Sequence, residues 1–132
     1  MDRDLWIPYW RNLVIKCEEQ GYESLSENER IWYNIRVLID SVGNGGIVSF
    51  YYNSGADNLT ETLEDLSKLK ANKISKILQQ VNNLFPNGNP PANIDERNEI
   101  IDSGKNRIRT IMTYLKHLMT NFMILRKHWR IN

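Results

Sequence analysis

The chain has 132 residues, 41% of them hydrophobic and 25% charged, proportions ordinary for a globular domain that buries a core without disulfide or metal. One cysteine, Cys17, excludes an internal disulfide, and no apolar run approaches the roughly 18 residues of a membrane span. The start, Met1-Asp2-Arg3-Asp4, lacks the basic stretch and apolar run of a secretory signal. The expectation is a cytoplasmic protein in which residues 1–132 form a single domain.

The net charge of +1 conceals an asymmetry. Residues 1–66 hold twelve acids against five bases, and residues 67–132 hold twelve bases against four acids. Such polarity marks either a charged binding face or two faces that neutralise each other on folding.

In chain order, Trp6, Tyr9, Trp10, Leu13, Val14 and Cys17 fall at helical spacing and predict an aromatic-rich first helix. Pro8 fits it only in the first turn, where its missing N–H costs nothing. Gly21 ends it. Ser26-Glu27-Asn28-Glu29 reads as a capping box, followed by the stripe Ile31, Trp32, Ile35, Leu38, Ile39 and Val42. Gly43-Asn44-Gly45-Gly46 is expected to stop that helix, with Asn44, Gly45 and Gly46 as a structural turn of positive φ. The segment from Ile47 to Asn53 reads as a short helix with Ile47, Phe50 and Tyr51 inward, closed by Asn53-Ser54-Gly55 as a C-cap.

Asn58 and Asn72 are expected to cap two further helices. The first carries Leu59, Leu63, Leu66 and Leu69, and the second carries Ile74, Ile77, Leu78, Val81, Leu84 and Phe85. Prolines and glycine make residues 86–91 a loop. Asn93 with Glu96 starts another helix. From Arg107 a stripe of Ile108, Ile111, Met112, Leu115, Leu118, Met119, Phe122, Leu125 and Trp129 holds for about six turns. The fold class is therefore all-α: a compact single-domain bundle of six or seven helices.

Chemistry is sparse. His117 and His128 stand about three turns apart on one helix, too far to share a metal, and no Cys–His metal spacing exists. Asn44-Gly45-Gly46 lacks the Gly-Lys-Ser/Thr of a phosphate loop. No cofactor, metal or catalytic residue is expected. Asp57, Glu61, Glu64 and Asp65 are spaced to share one helix face. They form the candidate surface for a protein partner, a cationic one such as a toxin or a nucleic-acid-binding protein. Lys105, Arg107, Arg109, Lys116, Arg126, Lys127 and Arg130, with Tyr114 and Trp129 interleaved, offer nucleic-acid binding as the alternative.

The run Asn44-Gly45-Gly46-Ile47-Val48-Ser49-Phe50-Tyr51-Tyr52-Asn53-Ser54-Gly55 resembles the core motif of the bacterial DNA-mimic-protein-19-like family. Glu29-Arg30-Ile31-Trp32-Tyr33, the leucine helix after the core, and Phe85-Pro86-Asn87-Gly88-Asn89-Pro90-Pro91 with Arg97 fit the same layout, over roughly residues 25–102. Ser49 stands where the family has glutamine, and Ser41-Val42-Gly43 departs from its usual acid and valine. The resemblance implies an all-helical domain without catalytic residues. The member that names the family imitates DNA with a strongly acidic surface and captures a DNA-binding protein, whereas this chain is nearly neutral. Relatives of this size look like inhibitors or immunity proteins that block a toxin. The resulting expectation is a non-catalytic protein-binding module that sequesters or inhibits a macromolecular partner.

Overall fold

The computed structural model describes the backbone of residues 3–104 and 107–125, and the side chains of 7–104, 107–115, 118 and 119. Six α-helices and three short 3-10 turns make up the described residues, with no strand among them: α1 (Arg3–Gln20), α2 (Glu27–Tyr52), α3 (Leu59–Lys68), α4 (Asn72–Asn82), α5 (Ile94–Asp102) and α6 (Ile108–Leu125). The compact all-α expectation holds. The side chains of Trp6, Lys105, Lys116, His117, Phe122, Leu125, Arg126, Lys127, His128, Trp129 and Arg130 lie outside the described residues.

α1 begins one turn ahead of Pro8 rather than at it. Pro8 therefore lies past the first turn, and the helical bond it cannot donate is missing within the helix near its start. α2 starts as its sequence dictates. Glu29 N donates to Ser26 Oγ (3.2 Å) and Ser26 N donates to Glu29 Oε1 (2.9 Å), a closed capping box.

The glycine segment does not end α2. The backbone stays helical through Gly43, Asn44 and Gly45 and departs only at Gly46, with φ 78° and ψ −170°. Gly46 therefore kinks one long helix, and Gly45 does not have the positive φ expected of it. Gly45 matters for another reason, because a Cβ there would lie 2.9 Å from the Ser49 Cβ. Gly46 is buried in a region of φ/ψ space open essentially to glycine alone. Gly46→Val should lower stability by about 1–3 kcal/mol, more than Gly43→Ala, whose Cβ would meet nothing within 4 Å. Equal melting midpoints for the two variants would remove the kink from the list of constraints.

Beyond the kink, Ile47, Phe50 and Tyr51 turn inward as expected, each fully buried. Asn53 closes the helix by donating from Nδ2 to Ser49 O (2.8 Å). Gly55 is required by contact rather than by φ, since a Cβ would stand 3.0 Å from both the Phe50 ring and Val37 Cγ1.

Two expected caps are absent. Asn58 offers α3 no side-chain bond, and only its carbonyl is used, by Thr62 Oγ1 (2.8 Å). Asn72 is the first residue of α4 rather than its cap. The reason lies just upstream, where Lys70 adopts φ 58°. Ala71 N then reaches Leu66 O (2.9 Å) and Lys70 N reaches Ser67 O (3.0 Å). This is a Schellman ending, and it leads α3 directly into α4 without room for a cap turn. Asn93 does cap α5, accepting from Glu96 N at 3.0 Å.

The core gathers Leu38, Val42, Ile47 and Phe50 of α2 with Leu66 of α3, Ile74, Leu78 and Val81 of α4, and Ile108, Met112 and Met119 of α6. α6 lies along α2 and α4, with α3 against both α2 and α4. Leu118, placed by periodicity on the inner stripe of α6, is instead exposed, as is Tyr114.

Candidate functional site

The residue that ties the most elements together is Arg97 on α5. Its side chain is 0% exposed, and its guanidinium directs every N–H at an oxygen. Nε donates to Tyr51 O (2.6 Å), Nη1 to Pro91 O (3.0 Å) and Ala92 O (3.1 Å), and Nη2 to Asn53 O (2.7 Å) and Asp57 Oδ1 (2.9 Å). A guanidinium has five N–H donors, and all five are used. The cation sits at the C-terminal end of α2, where free carbonyls and the helix dipole favour positive charge. The run Asn53-Ser54-Gly55, the loop at Pro91 and Arg97 itself therefore form one structural joint. A cleft of about 200 Å³ opens beside it, lined by Ala56, Leu59, Thr60 and residues 89–92, with Asp57 at its edge.

The four acids expected to share a face are not equivalent. Asp65 is 0% exposed, so it cannot meet a partner. It accepts from Arg30 Nη2 (2.9 Å) and Asn34 Nδ2 (2.9 Å), and Asn34 Nδ2 also donates to the Tyr22 hydroxyl (2.8 Å). Burial, ahead of the other influences, pushes the Tyr22 hydroxyl up to about 12. The bond to Asp65 is the largest cause of an Arg30 guanidinium held above its ordinary range. Asp57 lies in the 3-10 turn Ser54–Asn58, ahead of α3, and is engaged by Arg97. Glu61 is half-buried and Glu64 is 56% exposed. Of the expected face, Asp65 alone is lost to burial; Asp57 is exposed but paired with Arg97, and Glu61 and Glu64 remain on α3, with Arg30 3.2 Å from Glu64.

A signal for this partition was present in the sequence. Asp65 follows Thr62 by three residues and precedes Leu69 by four, which places it on the inner stripe of α3 with Leu59 and Leu66. An acid on an apolar stripe calls for a buried cation, and Arg30 supplies it.

Surrounding acids extend the negative surface. Glu18, Glu19 and Glu23 are exposed, and the charge of Glu61 reaches Tyr22, next to Glu23. The nearby bases are taken up: Lys16 by Glu29 (2.8 Å), Arg30 by Asp65, and Lys68 by Glu27 (2.9 Å). Of the neutralisation expected between halves, Lys68 with Glu27 and Arg97 with Asp57 are clear instances.

On the basic side, Arg109 is occupied within the fold. Its Nη2 donates to Asp102 Oδ1 (2.8 Å), its guanidinium lies 5.1 Å over the Tyr52 ring, and the Tyr52 hydroxyl donates to Asp102 Oδ2 (2.6 Å). This clasp fastens the start of α6 to α5 and α2. The Tyr52 bond, then the Arg109 bond, hold the Asp102 carboxyl below its ordinary range. A depressed carboxylate contributes stability above its unfolded pKa and loses it as pH falls through the folded one. Asp102→Asn should therefore lower stability at neutral pH and flatten the acid limb of the profile, the two proteins converging as pH falls below the usual carboxylate range. An unaltered acid limb in urea melts across pH would exclude the clasp as a contributor.

Among the described residues no group of three or more His, Cys, Asp or Glu could hold a metal ion, and no helix is long and apolar enough to cross a membrane. No curated protein and no solved structure shows a significant match to the chain. A family profile described as DMP19-like protein matches residues 23–123, from the turn before α2 almost to the end of α6 and beyond the roughly 25–102 carried by the motifs. The chain belongs to the DMP19-like protein family.

Proposed function

We propose that the protein is a non-catalytic, cytoplasmic binding module that sequesters or inhibits a cationic macromolecular partner, as a toxin-immunity protein or a DNA-mimic-like binder does. Family membership supports this reading. The observation that carries it is the surface of Glu61 and Glu64 on α3, continued by Glu23, where Lys16 and Lys68 are engaged by Glu29 and Glu27 and Arg30 is shared between Glu64 and the buried Asp65. The motif residues fit the same picture, since Arg97 and Asn53 are committed to the fold and leave surface charge to do the recognising.

A clustered charge of one sign steers an oppositely charged partner and speeds association at low salt. The partner is identified by pull-down from the native host, and its association is then followed at several salt concentrations. The triple variant Glu23→Gln, Glu61→Gln, Glu64→Gln should keep its melting temperature while associating several-fold more slowly at low salt, with a flatter salt dependence. Normal association by that variant would reduce these acids to a solvated face. Duplex DNA retained by the wild type at physiological salt would instead favour the basic side of α6.

A further inference from the structure

α1 packs mainly against α2 and the 3-10 turn Tyr22–Ser24. Among the described residues, the main core and the side chains packed against it begin at Ile31, and no described α1 side chain belongs to either. The family match likewise begins at residue 23, after α1 has ended. Leu13 is the one residue of α1 classed as buried among those described. The remaining contact is aromatic and partial: Tyr9 stands edge-on to Trp32 at 5.3 Å between centroids, and Trp10 lies against Tyr33 at 5.5 Å. Lys16 reaches Glu29 at 2.8 Å, and Cys17 is half-buried. The connection to α2 is short and turns on Gly21, at φ 89°, followed by the 3-10 turn Tyr22–Ser24.

We propose that the α2 face bearing Glu29, Trp32 and Tyr33 is a helix-docking groove and that α1 is its resident occupant, able to leave while the rest stays folded. The ligand class follows from what now sits there. It is an amphipathic helix with an aromatic pair, an aliphatic residue one turn on, and a lysine that meets Glu29. Anchors at Trp10, Leu13 and Cys17 have the one-turn spacing by which a helix enters a groove. Tryptophan and tyrosine are the side chains that concentrate binding energy at such contacts. Because α1 is attached in cis, it excludes a free helix of the same chemistry until it opens. This groove is separate from the acidic surface on α3, and either can fail alone.

The test uses the full chain, hydrogen exchange and a synthetic peptide of residues 3–20. In the wild type, α1 amides should exchange by an opening less sensitive to denaturant than that of α2, α4 and α6. Leu13→Glu, and more mildly Trp10→Ala, should strip protection from α1 and leave it intact around Leu38, Phe50 and Leu78. The Leu13→Glu protein should bind the wild-sequence peptide at least tenfold more tightly than the wild-type protein does. A peptide carrying Trp10→Ala and Leu13→Glu should not bind. Loss of α1 and core protection in one transition, in the wild type or either variant, overturns the proposal. So does failure of the undocked protein to take up the peptide.

Discussion

Arg97→Met should bring the protein to the edge of unfolding. The substitution keeps much of the apolar stem and removes five donors from a site with no exposure to water. Four backbone carbonyls, from Tyr51, Asn53, Pro91 and Ala92, lose their charged donor together. Removing one side of a buried charged network costs about 3–5 kcal/mol, because the groups left behind stay desolvated. Against a total of roughly 5–15 kcal/mol for a domain, that is a large fraction. Arg97→Lys should recover only part of it, since an ammonium has three donors and cannot span the same fork of acceptors. Asp57→Asn should cost about 1 kcal/mol or less, because that carboxylate is 42% exposed and solvent screens it. Urea unfolding midpoints should therefore fall in the order Asp57→Asn, Arg97→Lys, Arg97→Met. An Arg97→Met midpoint within about 1 kcal/mol of wild type would mean that the joint between α2, α5 and residues 91–92 is held by packing alone.

Arg97 also shows where sequence reading runs out. Apolar periodicity names which face of a helix is inside, and it placed Ile35, Leu38, Leu66, Ile74, Leu78 and Met112 correctly, all at or near full burial. Capping follows from local chemistry where the cap is local, as at Ser26 and Asn93. It misled at Asn72 because the geometry there was set upstream, by the αL conformation of Lys70, a residue with no local preference for it, and at Asn58 because that residue closes the 3-10 turn Ser54–Asn58, which runs straight into α3. The partners of Arg97 lie 40 to 46 residues away at Asp57, Asn53 and Tyr51, and 5 to 6 away at Ala92 and Pro91. No local pattern announces that arrangement. The family resemblance marked the right residues without saying what they do. The glycine run was legible as a break but not to the residue, since three of its four positions remain helical.

The acidic candidate site was misjudged for a related reason: spacing says which side chains share a face, not which of them reach water. Asp65 and Glu64 are neighbours in sequence, yet one is wholly buried and the other more than half exposed. Asp65→Ala should therefore act on stability rather than on recognition. It removes the acceptor of Arg30 and of Asn34, leaving the Asn34 amide, itself buried, with only the Tyr22 hydroxyl as acceptor. The expected loss is about 3–4 kcal/mol, toward the lower end for a broken buried pair because Arg30 can partly hydrate. Arg30→Ala alone should destabilise in the same direction. The double variant should then lose less than the sum of the two, the mark of direct coupling. Strict additivity in urea melts would show that the two charges are stabilised separately. The same variants separate fold from function. Partner association, corrected for the folded fraction, should be nearly unchanged by Asp65→Ala and slowed by the Glu61→Gln, Glu64→Gln pair. If Asp65→Ala alone abolishes association by protein that is still folded, the buried carboxylate acts on the surface through Arg30 and Glu64. The exposed acids would then be only part of the recognition face.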